Sequence, residues 1–447
     1  MKKIKLLALF FFLTKLSLFS QTWTSLSTGI DGGVSAIAGY NGEIYLSGKF
    51  DTAGGVPVIN LAKWNGAAWS SVHAGMSGTI GAFTVYNGSL YAGGRFTLNG
   101  NVDTDGVLEW NGTDWLSIGM KLLGSNSSVS TLAVFNGNLY AGGYFASVGG
   151  ISANGIAKWN GNKWANAGSG ISGIGTNYFI NALFAGQTKL YVGGMFSNAG
   201  GIVVNNIASW DDTIWAGFGN GMNANSMVYA MSEYNGSLYA GGNFDTAGGV
   251  PANKIAVWKG TGWSSVGSGV GVNSVIHSLA SYNGNLYAGG MFTSAGGTFA
   301  ESIAQWNDSI WTGLSGGGVF WTGGAHVPPD VRVLTIYNGN LYVGGSQFGF
   351  PGNNIVEWTS PMGIEEVTLN QGIQLFPNPS SGMITLLTEN GILNTIEIYT
   401  MLGEKIYQNK VKASRLVIDL RDEPKGIYFY RATSETNRIG FGKIILQ

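Results

Sequence analysis

The chain has 447 residues, a formal net charge of −1, 73 glycines, 15 tryptophans and no cysteine. The lack of cysteine excludes disulfides, thiolate metal sites and lipid attachment to a cysteine. Residues 21–360 contain 15 acidic and 10 basic residues, and this mildly acidic balance argues against nucleic acid or an anionic membrane as a partner.

Residues 1–20 have the features of a secretory signal peptide. A basic start over residues 2–5 precedes an apolar run over 6–13, and a short polar end precedes Gln21. The apolar run is too short to span a bilayer comfortably, and no later segment approaches a transmembrane span. We therefore expect export to the periplasm, with cleavage near Ser20 and no membrane span in the mature chain.

Residues 21–360 consist of a repeated unit. One tyrosine of the unit recurs at intervals of about 46–55 residues, a period typical of propellers and solenoids. Its copies are Tyr45, Tyr91, Tyr140, Tyr191, Tyr239, Tyr287 and Tyr342. In the first copy, residues 34–38 and 43–50 predict two strands joined by an Asn-Gly turn, and residues 60–64 and Trp69 mark two more. Four short strands per unit predict a β-propeller blade.

Two tryptophans mark the third and fourth strands of each unit. The first members are Trp64, Trp110, Trp159, Trp210, Trp258, Trp306 and Trp358. The second members are Trp69, Trp115, Trp164, Trp215, Trp263 and Trp311. Trp358 has no downstream partner, whereas Trp23 stands unpaired at the start of the mature chain. We therefore predict a seven-bladed β-propeller whose last blade is completed by the N-terminal strand, which removes an open sheet edge.

The paired tryptophans are interpreted as packing anchors, because residues that recur in every blade usually fill the core. An array of sugar-binding indoles is the alternative. The Leu-Tyr-x-Gly-Gly segments with a downstream tryptophan, such as 286–290 with Trp306, resemble kelch-type blades. Such blades also build the central domain of galactose oxidase. The resemblance implies a fold and no function, since the Tyr–Cys crosslink of galactose oxidase needs a cysteine.

Charged residues become more frequent after Pro361, which predicts a domain boundary there, with a linker over 361–371. Residues 372–447 read as short strands between Gly, Asn and Pro turns, and so predict a small β-sandwich. The segments 375–382, 396–406 and 426–429, in this order, resemble the C-terminal sorting domain of the type IX secretion system of Bacteroidetes. This resemblance implies the type IX secretion machinery as a partner and an extracellular or outer-membrane-surface location. The alternative is an ordinary C-terminal sandwich.

Four Asp-Ser/Thr-apolar tripeptides resemble the O-glycosylation acceptor of that phylum. The acceptor residues would be Thr52, Thr213, Thr246 and Ser309, all in expected loops or turns. Asp-Thr and Asp-Ser are also common turn formers, so a purely structural reading stays open.

The link between the sixth and seventh units is longer than its counterparts. It carries Phe320, Trp321 and His326, and Trp321 is outside the paired set. Since binding residues concentrate on long loops, we predict a ligand contact here. The alternative is that this insertion plugs the central channel.

A second candidate position lies near the start of the innermost strand. The register places Tyr229, His277 and Arg332 there in units five to seven. The other units carry smaller residues, namely Ser35, Gly81, Ser130 and Asn181. With Trp321, these side chains predict an aromatic and cationic pocket for a glycan or an anionic group. The alternative is that the polar groups satisfy each other.

No catalytic residue, cofactor or metal is predicted. The histidines, His73, His277 and His326, lack metal-ligand spacing. Carboxylates such as Asp103 and Asp105 could act as a catalytic pair, but a solvated loop explains them as well. We therefore expect a non-catalytic binding or adhesion module for a glycan or a surface protein. The alternatives are a carbohydrate-active enzyme with its site on the long-loop face, and a scaffold without a small ligand.

Overall fold

The computed structural model describes residues 22–72, 76–98, 105–123, 126–173, 178–314, 329–348, 353–359, 373–388, 392–400, 405–434 and 439–447. The described residues form strands, bridges and turns without a helix, which confirms the all-β class. Those within 22–359 make one compact unit, and those within 373–447 belong to another. The expected signal peptide and linker lie outside the described residues.

In its described part, the first unit contains seven four-stranded antiparallel sheets. Their first strands are Gly33–Tyr40, Met76–Tyr86, Ser128–Phe135, Phe179–Ala185, Val228–Tyr234, Val275–Tyr282 and Asp330–Tyr337. Their second strands are Glu43–Lys49, Ser89–Leu98, Asn138–Tyr144, Leu190–Met195, Ser237–Gly242, Asn285–Met291 and Asn340–Ser346. We number the sheets 1 to 7 in the order of these strands.

The third strands are Leu61–Trp64, Asp105–Trp110, Ile156–Trp159, Ile207–Trp210, Ile255–Trp258, Ile303–Trp306 and Ile355–Thr359. The fourth strands of sheets 1 to 6 are Trp69–Ser71, Trp115–Ser117, Trp164–Asn166, Trp215–Gly217, Trp263–Ser265 and Trp311–Gly313. The fourth strand of sheet 7 is Thr22–Ser25, from the other end of the unit.

The predicted tight turns between the first and second strands are present. In sheet 1, Asn41 has a φ of 48° and Gly42 a φ of 83°, the pair of positive values that a type I′ turn requires. An Asn-Gly pair with positive φ occurs at this turn in every described sheet except sheet 4, which has Gln187-Thr188 between Gly186 and Lys189 instead.

The two tryptophans of each sheet face each other across the third and fourth strands. In sheet 1, Trp64 pairs with Trp69, and their ring centroids are 5.1 Å apart. The Trp69 Nε1 donates to the Leu26 carbonyl, 3.0 Å away in the chain segment just after the fourth strand of sheet 7. Trp69 is buried and Trp64 half-buried, and this close contact with its hydrogen bond is typical of core packing and not of an exposed sugar-binding array.

The N-terminal strand reproduces this arrangement in sheet 7. Trp23 pairs with Trp358 in register, with ring centroids 4.4 Å apart. The Trp23 Nε1 donates to the Leu314 carbonyl, which follows sheet 6, at 3.2 Å. Trp69 and Trp23 therefore make equivalent hydrogen bonds, each to a carbonyl just after the fourth strand of another sheet.

The first strands of successive sheets contact one another, and the first strand of sheet 7 contacts that of sheet 1. Thr335 Oγ1 donates to the Ile37 carbonyl at 3.0 Å, and the Gly42 amide donates to the Tyr337 hydroxyl at 2.7 Å. A Cβ added at Gly39 would lie 1.9 Å from the Tyr337 ring, so only glycine fits this approach.

Short strand pairs occur between the second and third strands of several sheets, where the sequence predicts only loops. They are Thr52–Ala53 with Val56–Pro57, Ser147–Val148 with Ile151–Ser152, Asn198–Ala199 with Ile202–Val203, Thr246–Ala247 with Val250–Pro251, and Ser294–Ala295 with Thr298–Phe299. A further strand, Ile171–Ser172, pairs with Asn198–Ala199. The Gly-Gly pair in each link supplies the two positive φ values of a hairpin turn, 58° and 80° at Gly54 and Gly55.

The second unit contains two antiparallel sheets in its described part. Strands Ile373–Phe376, Met383–Thr388 and Arg415–Asp419 form one, and Leu393–Thr400, Lys405–Ala413, Gly426–Ser434 and Ile439–Leu446 form the other. Buried residues of both sheets, among them Ile384, Leu386, Ile396 and Ile444, share one apolar core. Two sheets around one core are the arrangement of a β-sandwich.

Candidate functional site

The seven residues that the sequence register makes equivalent occupy one place in the fold. Each lies at a β-bulge, where the first strand shifts its register against the second strand. The bulge residues are Ser35, Gly81, Ser130, Asn181, Tyr229, His277 and Arg332. A bulge leaves one residue out of the ladder and redirects its side chain, which makes this a position where side chains vary without breaking the sheet.

The last three bulge residues lie together, and a carboxylate joins two of them. His277 Nδ1 lies 2.8 Å from Asp330 Oδ1, and Arg332 Nε lies 2.8 Å from Asp330 Oδ2. The Tyr229 ring meets the His277 ring edge to face, with centroids 5.3 Å apart and an interplanar angle of 89°. We call Tyr229, His277, Asp330 and Arg332 the bulge cluster.

Asp330 is the residue that sequence reasoning left out of the site. It is 7% exposed, and it stands two residues before the bulge at Arg332. Its partner His277 lies 53 positions earlier in the chain, in the neighbouring sheet. An acidic residue beside a bulge arginine is the only signal in the sequence, and it names no partner.

The electrostatics of the bulge cluster depend on Asp330. Burial by itself raises the pKa of this carboxyl, but hydrogen bonds from His277 and Arg332 outweigh it, so the pKa lies below its ordinary value of 3.8. An ionised carboxylate only accepts hydrogen bonds, so the His277 Nδ1 carries a proton and donates. Burial raises the pKa of the Tyr229 phenol, which therefore stays neutral. Hydrogen bonds and ring contacts within the bulge cluster therefore hold its side chains in place.

Arg332 retains hydrogen-bonding capacity. A guanidinium has five N–H donors, and Asp330 takes the one on Nε. The side chain is 46% exposed, and no described residue accepts a hydrogen bond from its Nη atoms. Asp330 therefore fixes the orientation of a guanidinium whose outer edge is open, which suits a carboxylate, sulfate or phosphate oxygen.

The structure does not describe the remaining predicted site residues. Phe320, Trp321 and His326 lie outside the described residues, as do His73 and Asp103.

Asp105, the described member of the candidate carboxylate pair, already has hydrogen-bond partners. Asp105 is 2% exposed, and it accepts hydrogen bonds from Ser117 Oγ at 2.6 Å and Lys121 Nζ at 3.2 Å. Within the described ranges, no group of three or more histidine and acidic side chains is arranged to hold a metal. Asp105 therefore has structural partners in sheet 2 and just after it.

The four possible O-glycosylation residues differ in their surroundings. Thr213 and Ser309 are exposed in turns, as expected. Thr52 and Thr246 are half-buried and begin short strands, which corrects their expected placement in loops or turns, because the hairpin pairing there extends the backbone.

The aspartates of two of these tripeptides have structural partners. Asp212 accepts hydrogen bonds from Lys158 Nζ at 2.7 Å and from the Tyr140 hydroxyl, and Asp308 accepts from Asn235 and Tyr239. This contact between neighbouring sheets gives both aspartates a role that needs no modification.

The comparisons with known proteins bear on each unit separately. Residues 374–447 match the family model of the secretion system C-terminal sorting domain. This match supports type IX sorting. No curated protein matches the chain significantly.

One solved structure supports the fold. It is the extracellular domain of a protein described as a hybrid two-component system from B. thetaiotaomicron, with a TM-score of 0.53 and 13% identity. The alignment covers 95% of this chain and 53% of that one, so the chain spans about half the length of that structure. The WD40 β-propeller domain of Doa1 aligns with a TM-score of 0.46 and 13% identity, over 75% of this chain and 95% of that domain. Identities this low indicate a shared fold and nothing about function.

No helix in the described ranges has the length and apolar character needed to cross a membrane.

Proposed function

We propose that residues 21–360 form a seven-bladed propeller closed by the N-terminal strand. Three contacts support this proposal. Thr22–Ser25 is the fourth strand of sheet 7, the first strand of sheet 7 contacts that of sheet 1, and Asn353 Nδ2 donates to the Thr28 carbonyl at 2.6 Å. Closure gives sheet 7 its fourth strand and leaves only short outer edges, which suits a protein that must stay folded without disulfides.

The mature protein reaches the outside of the cell in two steps. Residues 1–20 direct export to the periplasm, and residues 372–447 engage the type IX secretion machinery. The sorting-domain match over 374–447 supports the second step. The protein then acts at the cell surface or in the medium.

Its function there is non-catalytic binding or adhesion, and the ligand is a glycan or a surface protein that presents an anionic group. The observation that carries this proposal is the pairing of Arg332 with buried Asp330, which orients a half-exposed guanidinium. The kelch-like character of the blades agrees with a binding role but does not specify it.

The test is an array of uronate-bearing, sulfated and neutral glycans, probed with the mature full-length protein. We expect binding to acidic glycans that Arg332→Ala weakens at least tenfold. Lys163→Ala, which removes an equal charge from an exposed site, is the matched control and should bind as wild type. Failure of any acidic glycan or surface protein to bind, or equal binding by Arg332→Ala, would contradict the proposal.

A further inference from the structure

One residue breaks a pattern shared by the sheets. Before the third strand, six sheets of the described part place one residue in the left-handed region, with φ between 58° and 80°. Its carbonyl accepts a hydrogen bond, 3.0–3.1 Å long, from the second glycine of the Gly-Gly or Ser-Gly pair in the second strand. The six residues are Asn60, Gly155, Asn206, Lys254, Ser302 and Asn354.

Asparagine and glycine suit this position for a physical reason. Both tolerate the left-handed backbone. The side-chain oxygens of Asn60, Asn206 and Asn354 also accept the backbone amide of a phenylalanine, at 3.3, 3.1 and 3.0 Å. A lysine has no acceptor for that amide, and a long side chain disfavours positive φ.

Lys254 is nevertheless held almost completely inside the protein. Its side chain is 9% exposed, and its ammonium donates to the Asn243 carbonyl at 3.2 Å and to the carboxylate of Asp245. The Asp245 side chain is 69% exposed. A buried ammonium thus meets an exposed carboxylate, in a backbone conformation that lysine rarely adopts. Local departures of this kind concentrate at functional sites.

The pair opens into a cavity between sheets 5 and 6. The cavity has a volume of about 440 Å³, within the range of small-ligand pockets. Its wall includes Asn253, Asn273, Ser268 and Ser294, together with residues 269–272. Val272 is 91% exposed and offers an apolar surface. The lining therefore combines polar residues with two valines, Val270 and Val272.

The charges select the class of ligand. The ammonium has three donors, of which the two contacts above use two, and the carboxylate has a further acceptor oxygen. The ion pair of Lys254 and Asp245 is neutral overall. Its carboxylate repels a free anion, and its ammonium repels a metal cation. Two neighbouring hydroxyls satisfy both groups, since one accepts from Nζ and the other donates to Asp245.

We propose that this cavity, with Lys254 and Asp245 on its wall, binds a neutral sugar through a vicinal diol. The proposal goes beyond the proposed function, because it places a second ligand, a neutral sugar, at another site. Its site is separate from the bulge cluster, so the two are tested independently.

The test is calorimetric titration of the mature full-length protein with methyl glycosides of glucose, galactose and mannose, with acetate and calcium chloride as charged probes. We expect one or more of the glycosides to bind and neither charged probe to bind. Lys254→Asn, which takes the residue used in sheets 1, 4 and 7, keeps the fold and should weaken glycoside binding at least tenfold. Asp245→Asn should have the same effect.

Two outcomes would overturn the proposal, namely no binding of any glycoside, and glycoside binding that Lys254→Asn leaves unchanged. Arg332→Ala separates the two sites. It should weaken acidic-glycan binding at least tenfold and leave glycoside binding intact, so failure at one site does not count as failure at the other.

Discussion

Replacing Trp23 by alanine probes the contribution of the N-terminal strand to the first unit. The indole is partly buried, lies 4.4 Å from the Trp358 ring and donates a hydrogen bond to the Leu314 carbonyl. Trp23→Ala removes both contacts and leaves the third strand of sheet 7 with an uncovered indole.

The cost follows from area and hydrogen bonding. Full burial of a tryptophan removes about 150–250 Å² from water, which is worth about 4–6 kcal/mol at about 25 cal/mol per Å². Since Trp23 is only partly buried, we take about half of this, roughly 2–3 kcal/mol. The lost hydrogen bond adds about 1 kcal/mol. We expect Trp23→Ala to lower the free energy of unfolding by about 3–4 kcal/mol.

Urea unfolding followed by tryptophan fluorescence is the assay. All 15 tryptophans precede residue 361, so the signal reports the first unit alone. Leu116→Ala is the control, because this side chain is 46% exposed on a fourth strand, and it should change stability by less than about 0.5 kcal/mol. Trp69→Ala removes the equivalent indole of sheet 1 and sets the scale. A Trp23→Ala variant as stable as Leu116→Ala would refute the reasoning.

Three further predictions concern charge, strain and export. Asp330→Asn should destabilise the first unit by roughly 1–2 kcal/mol at pH 7, a modest cost because Arg332 is nearly half exposed. Since the pKa of Asp330 is lowered, this difference should persist above about pH 4 and shrink as the pH falls below 3.8, and a difference that is constant down to pH 2 would contradict it. Lys254→Asn should raise stability by about 0.5–1 kcal/mol in urea unfolding, because asparagine accepts the left-handed backbone; a loss of stability would refute this. Deletion of 374–447 should retain the protein in the periplasm by cell fractionation, whereas unchanged secretion would exclude the sorting role.

The tryptophan pattern made the architecture readable because it repeats. Trp358 lacks a downstream partner, and the sequence therefore indicates that Trp23 supplies it. The register of the two strands agrees with this pairing. The bulge position was also accessible, since equivalent residues of repeats occupy equivalent places. Comparison of the repeats therefore predicts a contact between residues that are far apart in the sequence.

The bulge cluster was accessible only in part. Asp330 bonds to His277 across a sheet boundary, and nothing local to either residue specifies that pairing. The role of Lys254 was not predictable from the sequence, although comparison of the repeats singles this residue out. Alignment of the repeats shows a lysine where the others have asparagine, glycine or serine, but its burial, its positive φ and the cavity emerge only from the fold.

The short strand pairs were missed because two-residue strands carry no periodicity. The alternation that marks a strand needs at least four residues. The Gly-Gly pairs between them are the available signal, and such a pair predicts a turn without specifying a strand on either side.

Closure of the first unit is tested most directly by an engineered disulfide, since the chain contains no cysteine to interfere. Thr24 and Glu357 are register partners, and so are Lys63 and Ser70 at the equivalent place in sheet 1. Paired residues of antiparallel strands lie within the Cα separation that a disulfide spans.

We predict that the double variant Thr24→Cys/Glu357→Cys oxidises as completely as Lys63→Cys/Ser70→Cys, measured by mass spectrometry of non-reduced peptides. Thr24→Cys/Glu109→Cys, which places the second cysteine in sheet 2, should stay reduced. A first pair that stays reduced while the sheet 1 pair oxidises would contradict closure by the N-terminal strand.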